Sequence, residues 1–252
     1  MYGVYDNIGG LGGAMPGVVL KGVVVGLVLM LGGHAAVSAE RDPEERARFD
    51  VRAVPEQASS VDAFVPPGWT IEARVGGDLD RDAIDDVVLT LVEDLPAEDA
   101  GGIATDRRRA LLVLLSRNGD FVRVGSNNHL LPCTRCGGAF YGMAETPVEV
   151  AIERGVIIVR QDFGARDMTA ETHRFRYDPA VRRFLLIGYD VYTLDRLGPT
   201  TIDESTNLLT GAYIRRETRS GETAEDEIVI ETRDNVGGKT VFLEDATSLN
   251  SE

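Results

Sequence analysis

The residues best suited to chemistry form an acidic loop. Five carboxylates lie in the nine residues 78–86, within Gly77-Asp78-Leu79-Asp80-Arg81-Asp82-Ala83-Ile84-Asp85-Asp86, and the apolar run Val87–Val92 follows directly. Calcium takes about six to eight oxygen ligands, which alternating acidic residues of a tight loop can supply. The pattern predicts one calcium ion, with Asp78, Asp80, Asp82, the Ile84 carbonyl and Asp86 as its ligands. The alternative is a solvated acidic turn without an ion, in which the carboxylates would repel one another.

The elements on either side of the loop decide which kind of calcium loop it resembles. An EF-hand needs a glutamate at the twelfth position and flanking helices, whereas this loop has Leu89 there and strand-like flanks. The D-x-D-x-D-x-x-x-D pattern between two strands instead resembles the calcium loop of FG-GAP or VCBS-type repeats, seen in integrin α-chain blades and many secreted bacterial proteins. The segments Phe64–Trp69, Leu111–Leu115 and Leu208–Gly211 are also similar to small exported bacterial proteins that carry a single such loop. The resemblance implies calcium ligation by the residues named above and no established activity.

The loop departs from this pattern at its sixth position, where Ala83 replaces the usual glycine. Glycine is preferred there because the backbone turns sharply, and an alanine at positive φ costs about 1 kcal/mol. We therefore expect either weaker calcium binding or a slightly reshaped loop. Dissociation constants of about 0.1 to 1 mM are usual for extracellular calcium modules.

The two cysteines of the chain, Cys133 and Cys136, are separated by two residues. In an oxidising compartment such a pair usually forms a disulfide, and this is the prediction. Two alternatives stay open, a zinc site that also recruits His129 and His173, and a redox motif. The redox motif is disfavoured because it needs its first cysteine at a helix N-terminus, and strand-like flanks give no such helix.

The remaining residues show no catalytic constellation. The chain has no Gly-x-Ser-x-Gly motif, and His129 and His173 are its only histidines after residue 39, so a Ser-His-Asp arrangement has few possible bases. The alternation in 172–177 places His173 on one strand face with Phe175 and Tyr177, which is typical of an ordinary strand histidine. Acidic pairs suited to glycoside hydrolysis are not singled out, because Asp and Glu occur throughout the chain.

The chain as a whole predicts an all-β fold. Short runs rich in Val, Ile, Leu and Tyr recur between turn residues, with almost no sustained helical period. Asn118-Gly119 between two apolar runs is a strong hairpin signal. The predicted strands are Trp69–Val75, Val87–Val92, Ala110–Ser116, Phe121–Gly125, Val148–Glu153, Val156–Gln161, Thr172–Tyr177, Arg183–Asp190, Asn207–Arg215, Ile228–Thr232 and Val241–Leu243.

These strands form two up-and-down sets of four and an incomplete third set. We expect antiparallel meanders of about 10 to 11 strands, packed as sheets or as propeller-like blades. A closed propeller is not expected, because it typically needs at least about four blades of four strands. The predicted β-domain covers residues 65–245, and a polar tail follows at 246–252.

The N-terminal residues predict export. Lys21, the apolar run Gly22–Leu31 and the small residues Ala36–Ala39 form a secretory signal peptide over 1–39, with the true start at Met1 or Met15. The apolar run is shorter than the roughly 20 residues that span a bilayer, so no stable membrane insertion is expected after cleavage. Residues 40–64 are charged and poor in large apolar side chains, which predicts a flexible linker, with a frayed helix as the alternative.

The charge and the signal together set the class of protein we expect. The net charge of −15 disfavours binding to nucleic acid or to anionic membranes, since both need a basic face. We expect a periplasmic or secreted, non-enzymatic calcium-binding β-domain that serves as a binding or accessory module of the bacterial envelope. Its expected partner is an envelope protein or glycan. The alternatives are an envelope hydrolase that uses unidentified acidic residues, and a redox or zinc protein centred on Cys133 and Cys136.

Overall fold

The fold is known from a computed structural model that describes residues 48–142, 144–198, 200–221 and 226–250, all within the unit Arg41–Glu252. The predicted signal peptide 1–39 and residues 40–47 of the predicted linker lie outside the described residues. The described residues form twelve strands and a few short 3-10 turns, so the all-β prediction is confirmed. None of their helical turns is long and apolar enough to cross a membrane.

The strands form two antiparallel sheets in which sequence neighbours pair, except that β1 pairs with β5. The first sheet has the order β1-β5-β4-β3-β2, and the second has the order β12-β11-β10-β9-β8-β7-β6. Strands β2 to β5 and strands β6 to β12 are meanders, and the described residues form no closed propeller. The strands are β1 Gln57–Ala58, β2 Trp69–Gly77, β3 Asp86–Glu93, β4 Arg109–Arg117, β5 Asp120–Asn127, β6 Val148–Glu153, β7 Val156–Gly164, β8 Asp167–Asp178, β9 Arg183–Asp195, β10 Thr200–Asn207, β11 Ala212–Arg219 and β12 Ile228–Asn235.

The predicted third set of strands is wrong in its arrangement. Strands β10 to β12 continue the second sheet instead of forming a separate one. Strand β10 was not predicted because Ile202 is its only large apolar residue. The predicted strand Asn207–Arg215 spans the turn between β10 and β11, and around residues 241–243 the described chain forms an isolated bridge between Leu185 and Phe242.

The two sheets pack face to face around the larger core. Strands β3 and β4 supply one side of it, and strands β7 to β9 supply the other, since alternate side chains of a strand point to one face. Each fully buried large aliphatic or aromatic side chain contributes about 1.5 to 3 kcal/mol. The buried members are Leu79, Val88, Leu111, Val113, Leu115, Leu130, Leu131, Ile157, Val159, Phe175, Phe184, Leu186, Leu208, Leu243 and Ala246.

A second core covers the opposite face of the first sheet. It includes part of the segment 40–64, so the prediction of a flexible linker is wrong for that part. From Phe49 onward the segment 40–64 is packed against β3 and β4, in two short 3-10 turns and strand β1. Its described large apolar residues are spaced so that each joins this core, although the segment as a whole is charged. Strands β3 and β4 are therefore buried on both faces, which explains their nearly continuous apolar runs. The members are Phe49, Val54, Val61, Phe64, Val87, Leu89, Leu91, Ala110, Leu112 and Leu114.

The C-terminal segment is also packed rather than a free polar tail. Ala246 and Ser248 are buried. Asn127 on β5 donates from its side-chain amide to the carbonyl oxygens of Leu243 and Ala246, at 2.6 and 2.7 Å. The hydroxyl of Ser248 and the N–H of Leu249 donate to Glu171 on β8. In its described part, residues 246–250, the predicted tail is therefore fixed to both sheets.

Candidate metal centre

The acidic loop connects strands β2 and β3, as the sequence predicts. Carboxylate oxygens of Asp78, Asp80 and Asp86 lie within 4.8 Å of one another. Two oxygens that bind one calcium ion at about 2.3 to 2.6 Å are at most about 5.2 Å apart, so this spacing fits a common hard cation. Three of the five predicted ligands are thus brought together.

Asp86 anchors the loop to the first sheet. Its side chain is fully buried, and its two oxygens accept from the backbone N–H groups of Leu79 and Ser116, each at 2.8 Å. Burial raises the pKa of Asp86, the two N–H donors lower it, and the Asp80 and Asp82 carboxylates raise it further. The net effect is a raised pKa, which a cation placed among these carboxylates would reduce.

Asp78 and Asp80 hold the loop backbone in its turned shape. Asp78 accepts from the N–H groups of Arg81 at 2.6 Å and Ala83 at 3.0 Å, one on each oxygen. One oxygen of Asp80 accepts from the N–H of Asp82 at 3.2 Å, and the other accepts from the guanidinium of Arg117. Both Arg81 and Ala83 have positive φ, at 70° and 66°. The expected strain at Ala83 is therefore present.

Asp82 and Ile84, the other two predicted ligands, lie on the exposed side of the loop. Asp82 accepts from the N–H of Ile84 at 2.9 Å and pairs with Arg117 at 3.2 Å. The side chain of Ile84 is exposed. Asp82 does not belong to the close carboxylate group. Calcium ligation by Asp82 and by the Ile84 carbonyl stays a prediction.

Arg117 is a feature of this site that was not predicted from the sequence. It lies at the end of β4, next to the loop, and pairs with both Asp80 and Asp82. Its guanidinium supplies one positive charge against the five carboxylates of the loop. The Asn-Gly hairpin that follows it was the available signal, because a tight β4–β5 turn brings residue 117 to the same end of the sheet as the β2–β3 loop.

The lone pairs of the carboxylates show what the site can still bind. Among the described residues, each oxygen of Asp78, Asp80 and Asp86 accepts one hydrogen bond. A carboxylate oxygen has two lone pairs, so each of these oxygens keeps one. Oxygen donors of this kind are the ligands that calcium prefers. The donor set fits a calcium ion that shares Asp80 with Arg117.

The predicted disulfide between Cys133 and Cys136 is present, with a Cα–Cα distance of 5.1 Å. Thr134, one of the two residues between them, is buried. Its hydroxyl accepts from the N–H of Arg107 at 3.0 Å, and its carbonyl accepts from the N–H of Thr146 at 2.8 Å. A disulfide occupies both sulfurs, which excludes zinc binding in this state. Its place in an anchored loop without a helix is that of a structural bridge.

The two histidines considered for zinc lie elsewhere. His129 is exposed and contacts Arg48, with 3.1 Å between its Nδ1 and the guanidinium. His173 is buried, and its Nε2 lies 3.3 Å from the carbonyl oxygen of Thr247. Its ring stacks with that of Phe175. His173 therefore shares a face with Phe175, as the alternation predicts.

A buried carboxylate beside His173 was also missed. Glu171 is 1% exposed, and all its partners are neutral donors. One oxygen accepts from the hydroxyl of Tyr189 and from the N–H of Leu249 at 3.0 Å, and the other accepts from the hydroxyl of Ser248 and from Gln161 at 3.1 Å. Its burial could have been predicted from the alternation of side chains along a strand, because Glu171 must point to the same face as His173 and Phe175.

The cleft beside the acidic loop does not single out a pair of carboxylates for an envelope hydrolase. This cleft of about 840 Å³ is lined by Arg117, Arg123, Arg182, Glu56 and Glu244, among others. Glu244 is already paired with Arg183 at 2.8 Å. The hydrolase alternative stays a prediction that no geometry here favours.

The described chain is thus an all-β protein of two packed antiparallel sheets with an acidic strand-to-strand loop. No protein-family model matches the chain, and no curated protein or solved structure matches it significantly.

Proposed function

We propose that this chain is an exported, non-enzymatic β-domain that one calcium ion stabilises at a loop of the FG-GAP or VCBS type. It acts as a binding or accessory module of the bacterial envelope, with an envelope protein or glycan as its partner. The observation that carries the calcium assignment is the group of Asp78, Asp80 and Asp86, whose carboxylate oxygens lie within 4.8 Å of one another. Each of those oxygens keeps a lone pair, and Asp82 and the Ile84 carbonyl complete the proposed ligand set.

The proposed role of the ion is structural. It would hold the β2–β3 connection beside the end of β4 and offset the repulsion of the five carboxylates, which Arg117 alone neutralises only in part. A dissociation constant of about 0.1 to 1 mM suits a module outside the cell. The disulfide in the loop after β5 suits the same oxidising compartment.

Thermal unfolding with calcium or with chelator tests the proposal. With dissociation constants in that range, about 10 mM calcium stabilises the folded chain by about 1.4 to 2.7 kcal/mol. For a chain of this size that corresponds to a rise in Tm of about 3 to 10 °C. The rise should be absent in Asp80→Ala and smaller with magnesium, which requires a stricter octahedral geometry.

Asp85→Ala is the matched control. Asp85 belongs to the same loop but not to the close carboxylate group. The contact it makes with the hydroxyl of Ser116 uses its backbone carbonyl, at 2.6 Å, and survives the substitution. This variant should keep the full calcium response. An equal Tm with calcium and with chelator in the unmodified protein would overturn the calcium assignment.

A further inference from the structure

The edges of the two sheets are not equally protected. A strand at a sheet edge presents unpaired N–H and C=O groups, and proteins usually cover or interrupt such edges. In the first sheet, β1 is only two residues long, and β2 has a bulge between Ile71 and Ala73. In the second sheet, β6 lies against β2, where a Cβ at Gly77 would be 2.8 Å from Ile152. Three of the four edges are therefore short, irregular or covered.

The fourth edge, strand β12, has none of these protections among the described residues. Its eight residues Ile228–Asn235 pair with β11 in one unbroken register, and all of them are exposed. The strand contains no proline and no lysine. Its first three residues, Ile228, Val229 and Ile230, are 57%, 51% and 45% exposed. A long, regular edge whose first three residues are apolar is a template for another strand.

We propose that β12 pairs antiparallel with β12 of a second copy of this chain, so that the two seven-stranded sheets become one. Residues directly opposite each other in an antiparallel pair point to the same face, so a symmetric pair must be centred on one residue. Only two central residues, Glu231 and Thr232, allow nearly the whole strand to pair. A pair centred on Glu231 places two glutamates opposite each other, whereas a pair centred on Thr232 does not.

Charge complementarity favours the register centred on Thr232, and it favours a second copy of the chain as the partner. With Thr232 at the centre, Glu231 of each copy lies opposite Arg233 of the other, which gives two opposite-charge pairs across the new edge. Ile228 of one copy then lies opposite Val236 of the other, and both are exposed in the single chain. In the single chain Glu231 already pairs with Arg233 and with Arg216 of β11, so a second copy extends this cluster of ion pairs across the new edge. This inference does not depend on calcium binding.

Cross-linking at the proposed centre tests the register. The chain has no free cysteine, since Cys133 and Cys136 are bonded to each other. In Thr232→Cys the two new cysteines would face each other with Cα atoms about 4.5 to 5.5 Å apart, which suits a disulfide. In Ile230→Cys, on the same face, they would be offset by about 13 Å and would not cross-link. The expected result is a two-chain band on a non-reducing gel for Thr232→Cys only, and equal cross-linking of both variants would overturn the register.

Charge reversal tests the pairing in solution. By light scattering, the full-length protein should have twice the mass of its single denatured chain. Glu231→Arg and Arg233→Glu should each weaken dimerisation about tenfold or more, because each puts like charges opposite each other twice. The double variant E231R/R233E restores both pairs and should restore the dimer. Glu149→Arg, at an exposed ion pair on β6, is the matched control and should leave the dimer unchanged.

Three outcomes would overturn the proposal. The first is a monomer at all concentrations with rapid hydrogen exchange in β12. The second is a monomer in which the β12 amides are protected, because another part of the same chain would then cover the edge. The third is a dimer that all the charge variants leave unchanged.

Discussion

The acidic loop and the buried carboxylate of Glu171 both place negative charge on the fold, and they satisfy it in different ways. The loop has five carboxylates, and among the described residues each oxygen of its close group accepts one hydrogen bond. Glu171 accepts four, two on each oxygen, and thereby uses all its lone pairs. One region retains capacity for a cation, whereas the other has none.

The number of lone pairs that the carboxylates keep distinguishes a candidate ligand site from a structural site more clearly than charge density does. A buried carboxylate that makes four hydrogen bonds to neutral donors fixes the parts of the chain that supply them. At Glu171 these parts are β7, β9 and the C-terminal segment. A partly exposed group with lone pairs to spare costs less in the absence of its ligand and gains more when the ligand binds.

The largest expected effect is at Glu171. Glu171→Ala removes a buried carboxylate that accepts from four donors, so the free energy of unfolding should fall by about 3 kcal/mol. Chemical denaturation measures this change. Asp82→Ala in the exposed part of the loop is the control, and in chelator it should change stability by less than about 0.5 kcal/mol. Similar losses in both variants would remove the distinction between the two regions.

The second prediction compares two tyrosines that each donate to a glutamate. Tyr189 donates to buried Glu171, and Tyr213 donates to half-buried Glu204. Burial, followed by the bond to Glu171, raises the pKa of Tyr189, so its hydroxyl stays protonated and remains a donor. Tyr189→Phe should cost about 1.5 kcal/mol of unfolding free energy, whereas Tyr213→Phe should cost about 0.5 kcal/mol or less. An equal cost in parallel urea titrations would show that burial of the acceptor does not matter.

The sequence predicts the parts of the fold that follow a simple period. Strands β3 and β4 are predictable because buried strands have continuous apolar runs, and the acidic loop is predictable because its carboxylates are neighbours in the chain. Strand β10 was missed because its pairing with β9 and β11 needs few apolar side chains. The packed segment around Phe49 and Phe64 resembles a linker in sequence, because its charged composition outweighs its few well-spaced apolar residues.

The Glu171 cluster was out of reach for a different reason. Its donors come from residues 161, 189, 248 and 249, which are distant in the chain and are neutral side chains or backbone. No local spacing brings such residues together, because their contact depends on the register of three strands and on the path of the C-terminal segment. The sequence predicts only the strand face on which Glu171 lies, because it alternates in step with His173 and Phe175.

The smallest expected effect is a pH dependence at His173, which lies in the same buried cluster. Burial lowers the pKa of His173 below its usual value of about 6.5, and the facing carboxylate of Glu171 and the Thr247 carbonyl oppose this shift. Tyr189, whose ring lies 4.7 Å from that of His173, stays neutral. Below pH of about 6.5 the unfolded chain takes up a proton that the folded chain does not yet bind, so stability falls as the pH falls.

The slope of this loss is at most about 1.4 kcal/mol per pH unit, and between pH 7.5 and 5.5 we expect a loss of about 1 kcal/mol. In His173→Gln this component of the pH dependence should disappear. His129→Gln removes an exposed histidine and should leave it in place, so the two variants are compared by urea titration at both pH values. The same pH dependence in both variants would mean that His173 takes up its proton without cost. The charge of Glu171 would then be balanced by a protonated His173 as well as by the neutral donors around it.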